Sequence, residues 1–265
     1  MVVLFLGLAS GLLAQRRGGR SPQYGFGEEP LPAGSDEKTE WAFARLRYGT
    51  AQRGFGRGGR GGSLWATDYP KAERQFVQGV RRLTRVNARS VEEVVDADSD
   101  GLYDWPWLYA VEVGGRGGAG WSFTPEQATR MRQYLLRGGF LMVDDFHGTR
   151  EWQSFVAGMR TVFPDRPIEE LENKDEIFHV LHDLDERFQV PGIQFWRSGR
   201  TYEGDGVAAT WRAIRDDQGR IIVAICHNMD LGDAWEWADS PQYPERYTSL
   251  AYRVGVNYVM YAMSH

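Results

Sequence analysis

The chain has 265 residues, of which 42% are hydrophobic and 13% aromatic, enough to form the core of one large domain. Its formal net charge of -5 argues against general nucleic-acid binding, and its single cysteine, Cys226, excludes an intramolecular disulfide. The charge is uneven, because residues 1–62 hold nine Lys or Arg against five Asp or Glu, whereas the remainder is acidic.

The first segment, residues 1–14, carries no charged side chain. Such a run is shorter than the roughly 20 apolar residues that cross a bilayer, and it is typical of the apolar part of a secretory signal. Residues 1–15 are therefore predicted to be a signal peptide, and the protein is expected to be periplasmic or extracellular, with no membrane span after signal removal. A buried first strand is the alternative. Residues 16–40 are rich in Gly, Pro, Arg and Glu and are predicted to be a flexible linker.

The remaining residues, 41–265, are predicted to form a single domain. Alternating apolar and polar residues over 41–47 indicate a first strand, and a Gly/Arg-rich loop follows over 51–62. Asp68 is predicted to cap a helix that has Pro70 in its first turn. The residues expected on the buried face of this helix are Phe76, Val80 and Leu83.

The middle of the chain alternates between strands and helices. Strands are predicted over 91–95 and 107–113, and Thr124-Pro125-Glu126-Gln127 is a capping box that begins the next helix. Gly138-Gly139 ends that helix, and a buried strand is predicted over 140–143.

The last part contains a predicted helix over 150–159, a hairpin with strands 210–214 and 221–225, and an apolar helix over 248–263. Alternating strands and helices predict an α/β fold, a three-layer sandwich with a mostly parallel sheet covered on both faces.

The end of the strand predicted over 140–143 is the first candidate site. The apolar run stops at Asp144 and Asp145, with His147 two residues further on. Ligands bind at the carboxyl ends of strands in open α/β sheets. Asp144, Asp145 and His147 are therefore candidate catalytic acids and bases, or ligands of a divalent cation. In the structural alternative, Asp144 binds backbone amides and Asp145 caps the next helix, because adjacent strand residues point to opposite faces.

A second polar segment begins at Cys226, after the strand predicted over 221–225. If the two strands are parallel, its side chains emerge at the same edge as Asp145. His227 is a candidate catalytic residue, whereas a nucleophilic Cys226 is disfavoured because Cys is often simply buried. The residues expected to contact a ligand or to fix the loop are Asn228, Asp230 and Asp233.

Ten tryptophans are many for this length, and several lie in or beside predicted loops. Aromatic faces beside acids suit a carbohydrate, so Trp65, Asp68 and Tyr69 are candidate ligand-binding residues and at least two tryptophans are expected to line the cleft. The pair His179 and His182 is interpreted as part of an exposed, charged segment. We assign no metal site and no cofactor from the sequence, and the oligomeric state stays open.

The order of several short motifs resembles a bacterial family known as domain of unknown function 4159. The motifs are Arg47-Tyr48-Gly49, Trp65-Ala66-Thr67-Asp68-Tyr69-Pro70, Trp105-Pro106-Trp107-Leu108-Tyr109, residues 135–145 and Gly255-Val256-Asn257-Tyr258-Val259-Met260-Tyr261. The resemblance covers about residues 40–263. It implies a flavodoxin-like sheet similar to that of class I glutamine amidotransferases and trehalose-utilisation-type domains, and it implies no established activity.

The chain departs from the amidotransferase pattern at one position. Those enzymes carry a nucleophilic Cys on the tight turn after a central strand, where this chain has Asp144-Asp145. Glutamine hydrolysis by that route is therefore expected to be absent.

Two functions remain open from the sequence. In the first, the protein is a ligand-binding or scaffold domain that lacks the nucleophile, with a small molecule or carbohydrate as its ligand. In the second, it is a hydrolase that uses Asp144 or Asp145 with a histidine, and carbohydrate is its candidate substrate. A weaker third option is an RNA-binding arm formed by residues 51–62.

Overall fold

The computed structural model of the protein describes residues 31, 35–50, 64–116 and 118–265. The predicted signal peptide (1–15), most of the predicted linker (16–40) and the Gly/Arg-rich loop (51–62) lie outside the described residues.

A seven-stranded sheet forms the centre of the described structure. The strands, in chain order, are β1 (Ala44–Arg47), β2 (Gly49–Thr50), β3 (Glu93–Asp96), β4 (Trp107–Val111), β5 (Trp121–Ser122), β6 (Phe140–Asp144), β7 (Glu169–Glu170), β8 (Thr210–Arg215) and β9 (Ile221–His227). The order across the central sheet is β3-β1-β4-β6-β9-β8-β7, and β2 pairs with β5 separately.

Five neighbouring strands of the central sheet, from β3 to β9, are parallel, and β8 and β7 extend it in the antiparallel sense. The predicted mostly parallel sheet and the β8–β9 hairpin are therefore confirmed. The predicted first strand is shorter than expected, because Trp41 forms only an isolated bridge with Ala88 before β1 begins.

Helices cover both faces of this sheet. They are α1 (Lys71–Leu83), α2 (Pro125–Leu136), α3 (Gly148–Val162), α4 (Ile193–Arg197), α5 (Leu231–Glu236) and α6 (Glu245–Ser264). Trp107 and Tyr109 of β4 pack in one apolar layer with α1, α5 and α6, whereas Leu108 packs in the opposite layer with α2 and α3. Both faces of the central strands are buried, which explains their continuous apolar sequence.

The predicted capping box begins α2. The amide of Gln127 donates to Thr124 Oγ1 (3.2 Å), and the amide of Thr124 donates to Gln127 Oε1 (3.1 Å), so two amides of the first turn have side-chain acceptors. The helix ends before Gly138, whose φ of 116° favours glycine. Both ends of α2 therefore agree with the sequence.

The start of α1 differs from the prediction. Pro70 occupies the capping position and no described side chain caps the helix. Asp68 has a left-handed φ of 63° that directs its side chain elsewhere. Phe76 and Val80 are buried as expected, but Leu83 is 49% exposed because the helix ends there. The Asp68 carboxyl is consequently available for the site described below.

Candidate functional site

Three neighbouring parallel strands, β4, β6 and β9, end at the same edge of the central sheet. Backbone hydrogen bonds join the loops that follow them. The amide of Glu112 donates to the Asp145 carbonyl (2.9 Å), the amide of Asp145 to the Met229 carbonyl (3.1 Å), and the amide of Asn228 to the Phe146 carbonyl (3.0 Å). The prediction that the polar segments after β6 and β9 emerge together is confirmed.

The two adjacent acids at the end of β6 have different environments. Asp144 is fully buried, and its Oδ2 accepts hydrogen bonds from the Tyr109 hydroxyl (2.9 Å) and from the amides of Leu231 (2.8 Å) and Gly232 (3.1 Å). Burial raises the pKa of Asp144 to about 7. Asp144 therefore holds the start of α5 beneath the site, as in the structural alternative, and it is not among the described residues that line the cavity.

Asp145 points the other way because its backbone is left-handed, with a φ of 50°. Among the described residues, the non-glycine residues with positive φ are Asp68, Glu112, Asp145 and Asn228, and all four lie at this edge. Such conformations cost about 1–3 kcal/mol each and tend to occur at functional sites. Asp145 does not cap α3, because His147 occupies the capping position before Gly148.

The acids Asp68, Glu112 and Asp145 line a cavity of about 440 Å³. Its described wall contains eight carboxylates, which are Asp68, Glu112, Asp145, Glu151, Glu203, Asp230, Asp233 and Glu236. The other lining side chains are Arg116, His147, Thr67, Ile193, Gln194, Phe195 and Trp237. Arg116 is thus the one Lys or Arg side chain of this described wall, and it pairs with Glu112 (2.9 Å) while remaining 71% exposed.

Burial and mutual repulsion raise the pKa of most of these carboxyls. Burial is the largest cause at Asp68, Asp145 and Asp230, and neighbouring carboxylates raise the pKa of each further. The same causes raise the pKa of Glu112 to about 8 and those of Glu203 and Glu236 to about 7. The described protein groups therefore do not stabilise the ionised form of these carboxyls.

The donor atoms of these side chains form three overlapping groups, in each of which all atoms lie within 4.8 Å of one another. The groups are Asp145 with His147 and Glu203, Asp68 with Asp145 and Asp230, and Asp68 with Asp233 and Glu236. Among the described residues, Asp68 Oδ2 and His147 Nδ1 are buried without a hydrogen-bond partner, which buried polar atoms normally have.

The two candidate catalytic histidines have different environments. His147 lines the cavity, and its Nε2 lies 3.2 Å from Asp145 Oδ1 and 3.8 Å from Glu203 Oε1. His227 instead packs against the rings of Phe146 and Trp152 and is not among the lining residues.

The hydrogen bonds of His227 are to neighbouring structure. Its Nδ1 lies 3.1 Å from Thr210 Oγ1 and its Nε2 lies 3.2 Å from the Gly148 carbonyl. Burial lowers the pKa of His227 to about 4, which keeps the ring neutral. These contacts assign His227 to packing between β9 and the start of α3.

Three candidate ligand-binding residues also lie away from the cavity wall. Asn228 fixes loops, since its Oδ1 accepts from the Gly148 amide (2.8 Å) and its Nδ2 donates to the Ala208 carbonyl (2.7 Å). Trp65 is 5% exposed and packs edge-on against Tyr69. Asp68, Asp230 and Asp233, by contrast, all line the cavity as expected.

Cys226 and most tryptophans belong to the core. Cys226 is fully buried, and its Sγ lies 4.0 Å from the Tyr258 hydroxyl on α6. Trp237 is the one tryptophan in the described wall, so the expectation of at least two is not met there. The histidine pair in the irregular segment is likewise apart from the cavity, with His179 Nδ1 2.8 Å from Asp183.

Several lining acids were not expected from the sequence. Glu112 follows β4, the strand beside β6, so the strand-end rule that selected Asp145 also applies to it. Glu236 lies one helical turn after Asp233 on α5. Glu203 comes from an irregular segment in which no local pattern marks it.

Comparisons with known proteins add a family but no activity. Among the described helices, none is long and apolar enough to cross a membrane. No curated protein matches the chain. One family model, described as domain of unknown function (DUF4159), matches residues 42–263, which include every described side chain of the cavity wall. The chain therefore belongs to the DUF4159 family.

Proposed function

We propose that this protein is a ligand-binding domain whose cavity at the carboxyl edge of the sheet binds a divalent metal cation. The observation that carries the proposal is the charge of the described wall, in which eight carboxylates face a single arginine. Carboxylates that share a buried space disfavour each other's ionisation, and a bound cation reverses that effect by stabilising the charged form.

The donor atoms favour a particular class of metal. Carboxylate oxygens suit Mg²⁺, Ca²⁺ and Mn²⁺, and an imidazole such as that of His147 suits transition metals. Mn²⁺ accepts both kinds of donor and is therefore the appropriate probe. Because the metal binds ionised carboxyls, binding releases protons wherever their pKa values are raised.

The cavity supports ligand binding over a purely structural role, because the described side chains leave a volume of about 440 Å³. A hydrolase is the second candidate, and the contact between His147 Nε2 and Asp145 Oδ1 (3.2 Å) favours it, since that pair can exchange a proton with a substrate. In this alternative Trp237 provides the aromatic surface for a carbohydrate. Chromogenic glycosides test it, with loss of turnover in Asp145→Asn and in His147→Ala as the expected result.

Two further parts of the proposal concern fold family and location. We place the domain with the amidotransferase-like and flavodoxin-like sheets, which is supported by its parallel central strands and its helices on both faces. We also propose export, on the basis of the apolar residues 1–14. Amino-terminal sequencing of the protein recovered from the periplasm or medium tests export, and recovery of the uncleaved chain from the cytoplasm contradicts it.

Isothermal titration with Mn²⁺ tests cation binding. The wild-type chain is expected to bind Mn²⁺ and to release protons, so that the measured heat changes with the ionisation enthalpy of the buffer. Asp145→Asn is expected to weaken binding at least tenfold, because Asp145 belongs to two of the three donor groups. Asp104→Asn is the matched control, since Asp104 is an exposed carboxylate that precedes β4, at the opposite edge of the sheet.

The proposal fails if wild-type protein shows no binding of Mn²⁺, Mg²⁺, Ca²⁺ or Zn²⁺. It also fails if Asp145→Asn and Asp104→Asn bind Mn²⁺ as tightly as the wild type, because binding then takes place outside the cavity.

A further inference from the structure

The geometry points to two divalent cations in this cavity, bridged by the carboxylate of Asp145. One ion is held by Asp145, His147 and Glu203, and the other by Asp68, Asp145 and Asp230. This inference rests on the proposed cation binding and specifies the number of ions and their ligands.

The first argument concerns the distances between the ligand atoms. Ligand atoms lie about 2.0–2.6 Å from a divalent ion, so two ligands of one ion are at most about 5 Å apart. The donor atoms of the wall fall into overlapping groups of this size. Asp145 belongs to both the His147 group and the Asp230 group, so we assign its carboxylate to both ions. Two metals that share such a ligand are typical of sites with ions about 3.5–4 Å apart.

The second argument comes from polar atoms that lack a partner. Among the described residues, Asp68 Oδ2 is buried without a hydrogen-bond partner, and it belongs to the second proposed ion site. At the first site the His147 side chain is only 7% exposed, and the nitrogen that faces Asp145 and Glu203 is Nε2, at 3.2 Å and 3.8 Å.

Two of the three donors in the third group, Asp233 and Glu236, are already engaged by protein atoms. Asp233 Oδ2 accepts a hydrogen bond from the Ile193 amide (2.7 Å), and the Asp233 carboxyl is hydrogen-bonded to Glu236. The Asp233 amide donates to Asp230 Oδ1 (2.8 Å), which orients that carboxylate. Asp233 thus supports the second ion site through its hydrogen bond to Asp230, and Glu236 supports Asp233 in turn. We assign no ion to Asp233 and Glu236.

The charges of the two sites balance. The four carboxylates that ligate the two ions are Asp68, Asp145, Glu203 and Asp230, and they carry four negative charges when ionised. Two divalent cations supply four positive charges, and neutral His147 supplies a nitrogen donor. A single ion leaves half of this charge uncompensated in a buried space, which is costly.

Equilibrium dialysis of the full chain against Mn²⁺, followed by metal analysis, measures the number of ions. The wild type is expected to retain two Mn²⁺ per chain, and electron paramagnetic resonance is expected to show a spin-coupled pair. His147→Ala is expected to retain one uncoupled Mn²⁺, and Asp230→Asn likewise. Asp104→Asn is expected to keep both ions and the coupling. Glu203→Gln replaces His147→Ala if circular dichroism shows that the alanine variant is unfolded.

The outcomes separate this inference from the proposed function. One Mn²⁺ per wild-type chain, removed by Asp145→Asn, overturns the two-ion inference and leaves cation binding in place. Two ions without spin coupling overturn the shared Asp145 ligand. No bound Mn²⁺ overturns both proposals.

Discussion

Replacing Glu112 with Gln is expected to stabilise the metal-free protein at pH 8 and to have little effect at pH 5. The Glu112 side chain is only 8% exposed, and burial, followed by the charge of Asp145, raises its pKa from 4.5 to about 8. Between these two values the folded state binds more protons than the unfolded state, so the free energy of unfolding falls as the pH rises. Glutamine resembles the protonated carboxyl and does not ionise, so the variant does not lose this part of its free energy of unfolding as the pH rises.

The size of the effect follows from the pKa change. One pKa unit corresponds to about 1.4 kcal/mol, so ionisation of Glu112 lowers the wild-type free energy of unfolding by roughly 3 kcal/mol between pH 5 and pH 8. The substitution also removes the ion pair with Arg116. The Arg116 side chain is 71% exposed, so loss of the ion pair costs at most about 1 kcal/mol at pH 8, and at pH 5 the Glu112 carboxyl is protonated and forms no ion pair.

Urea unfolding in the presence of a chelator measures the difference at pH 5, 6, 7 and 8. The gap between Glu112→Gln and wild type is expected to grow by roughly 3 kcal/mol over this range. Glu186→Gln is the control, because Glu186 is an exposed glutamate, and its curve is expected to parallel that of the wild type. Equal pH dependence in wild type and Glu112→Gln refutes the assignment of a strongly raised pKa to this carboxyl.

Mn²⁺ is expected to oppose the loss of stability at high pH, because it binds ionised carboxyls. The rise in Tm on adding Mn²⁺ is expected to be larger at pH 8 than at pH 5. An equal rise at both pH values contradicts binding by carboxyls of raised pKa. Asp144→Ala is expected to lower the free energy of unfolding by about 3 kcal/mol, since three buried donors lose their acceptor. A loss below about 1 kcal/mol in urea unfolding contradicts this expectation and means that water replaces the carboxylate. The protein is expected to release no ammonia from glutamine, and glutaminase activity that Asp145→Ala abolishes overturns this expectation. Cys226→Ala is expected to bind Mn²⁺ as tightly as the wild type.

The elements with local signals could be predicted from the sequence. The capping box at Thr124 and the glycines after α2 mark that helix, because capping and left-handed turns depend on neighbouring residues alone. The apolar run of β6 marks a buried strand for the same reason. The capping role predicted for Asp68 is wrong, because its left-handed backbone takes the carboxyl away from the helix start.

The site could be predicted only in part. The strand-end rule selects Asp145 and His147, which line the cavity, and the parallel arrangement brings Asp230 to the same edge. The sequence does not distinguish Asp145 from Asp144, since their roles depend on the φ of 50° at Asp145. Nor does it separate His147 from His227, because the latter is enclosed by rings that are distant in the chain before folding.

The sequence by itself determined the α/β alternation, the burial of β6 and the place where that strand opens into polar residues, because each of these is a property of neighbouring side chains. Only the tertiary structure decided that eight carboxylates from five separate segments of the chain meet around one cavity. The physical reason is that strand order and loop direction bring these segments together. The carboxyl groups repel one another only in the folded chain, because they are far apart in the extended chain.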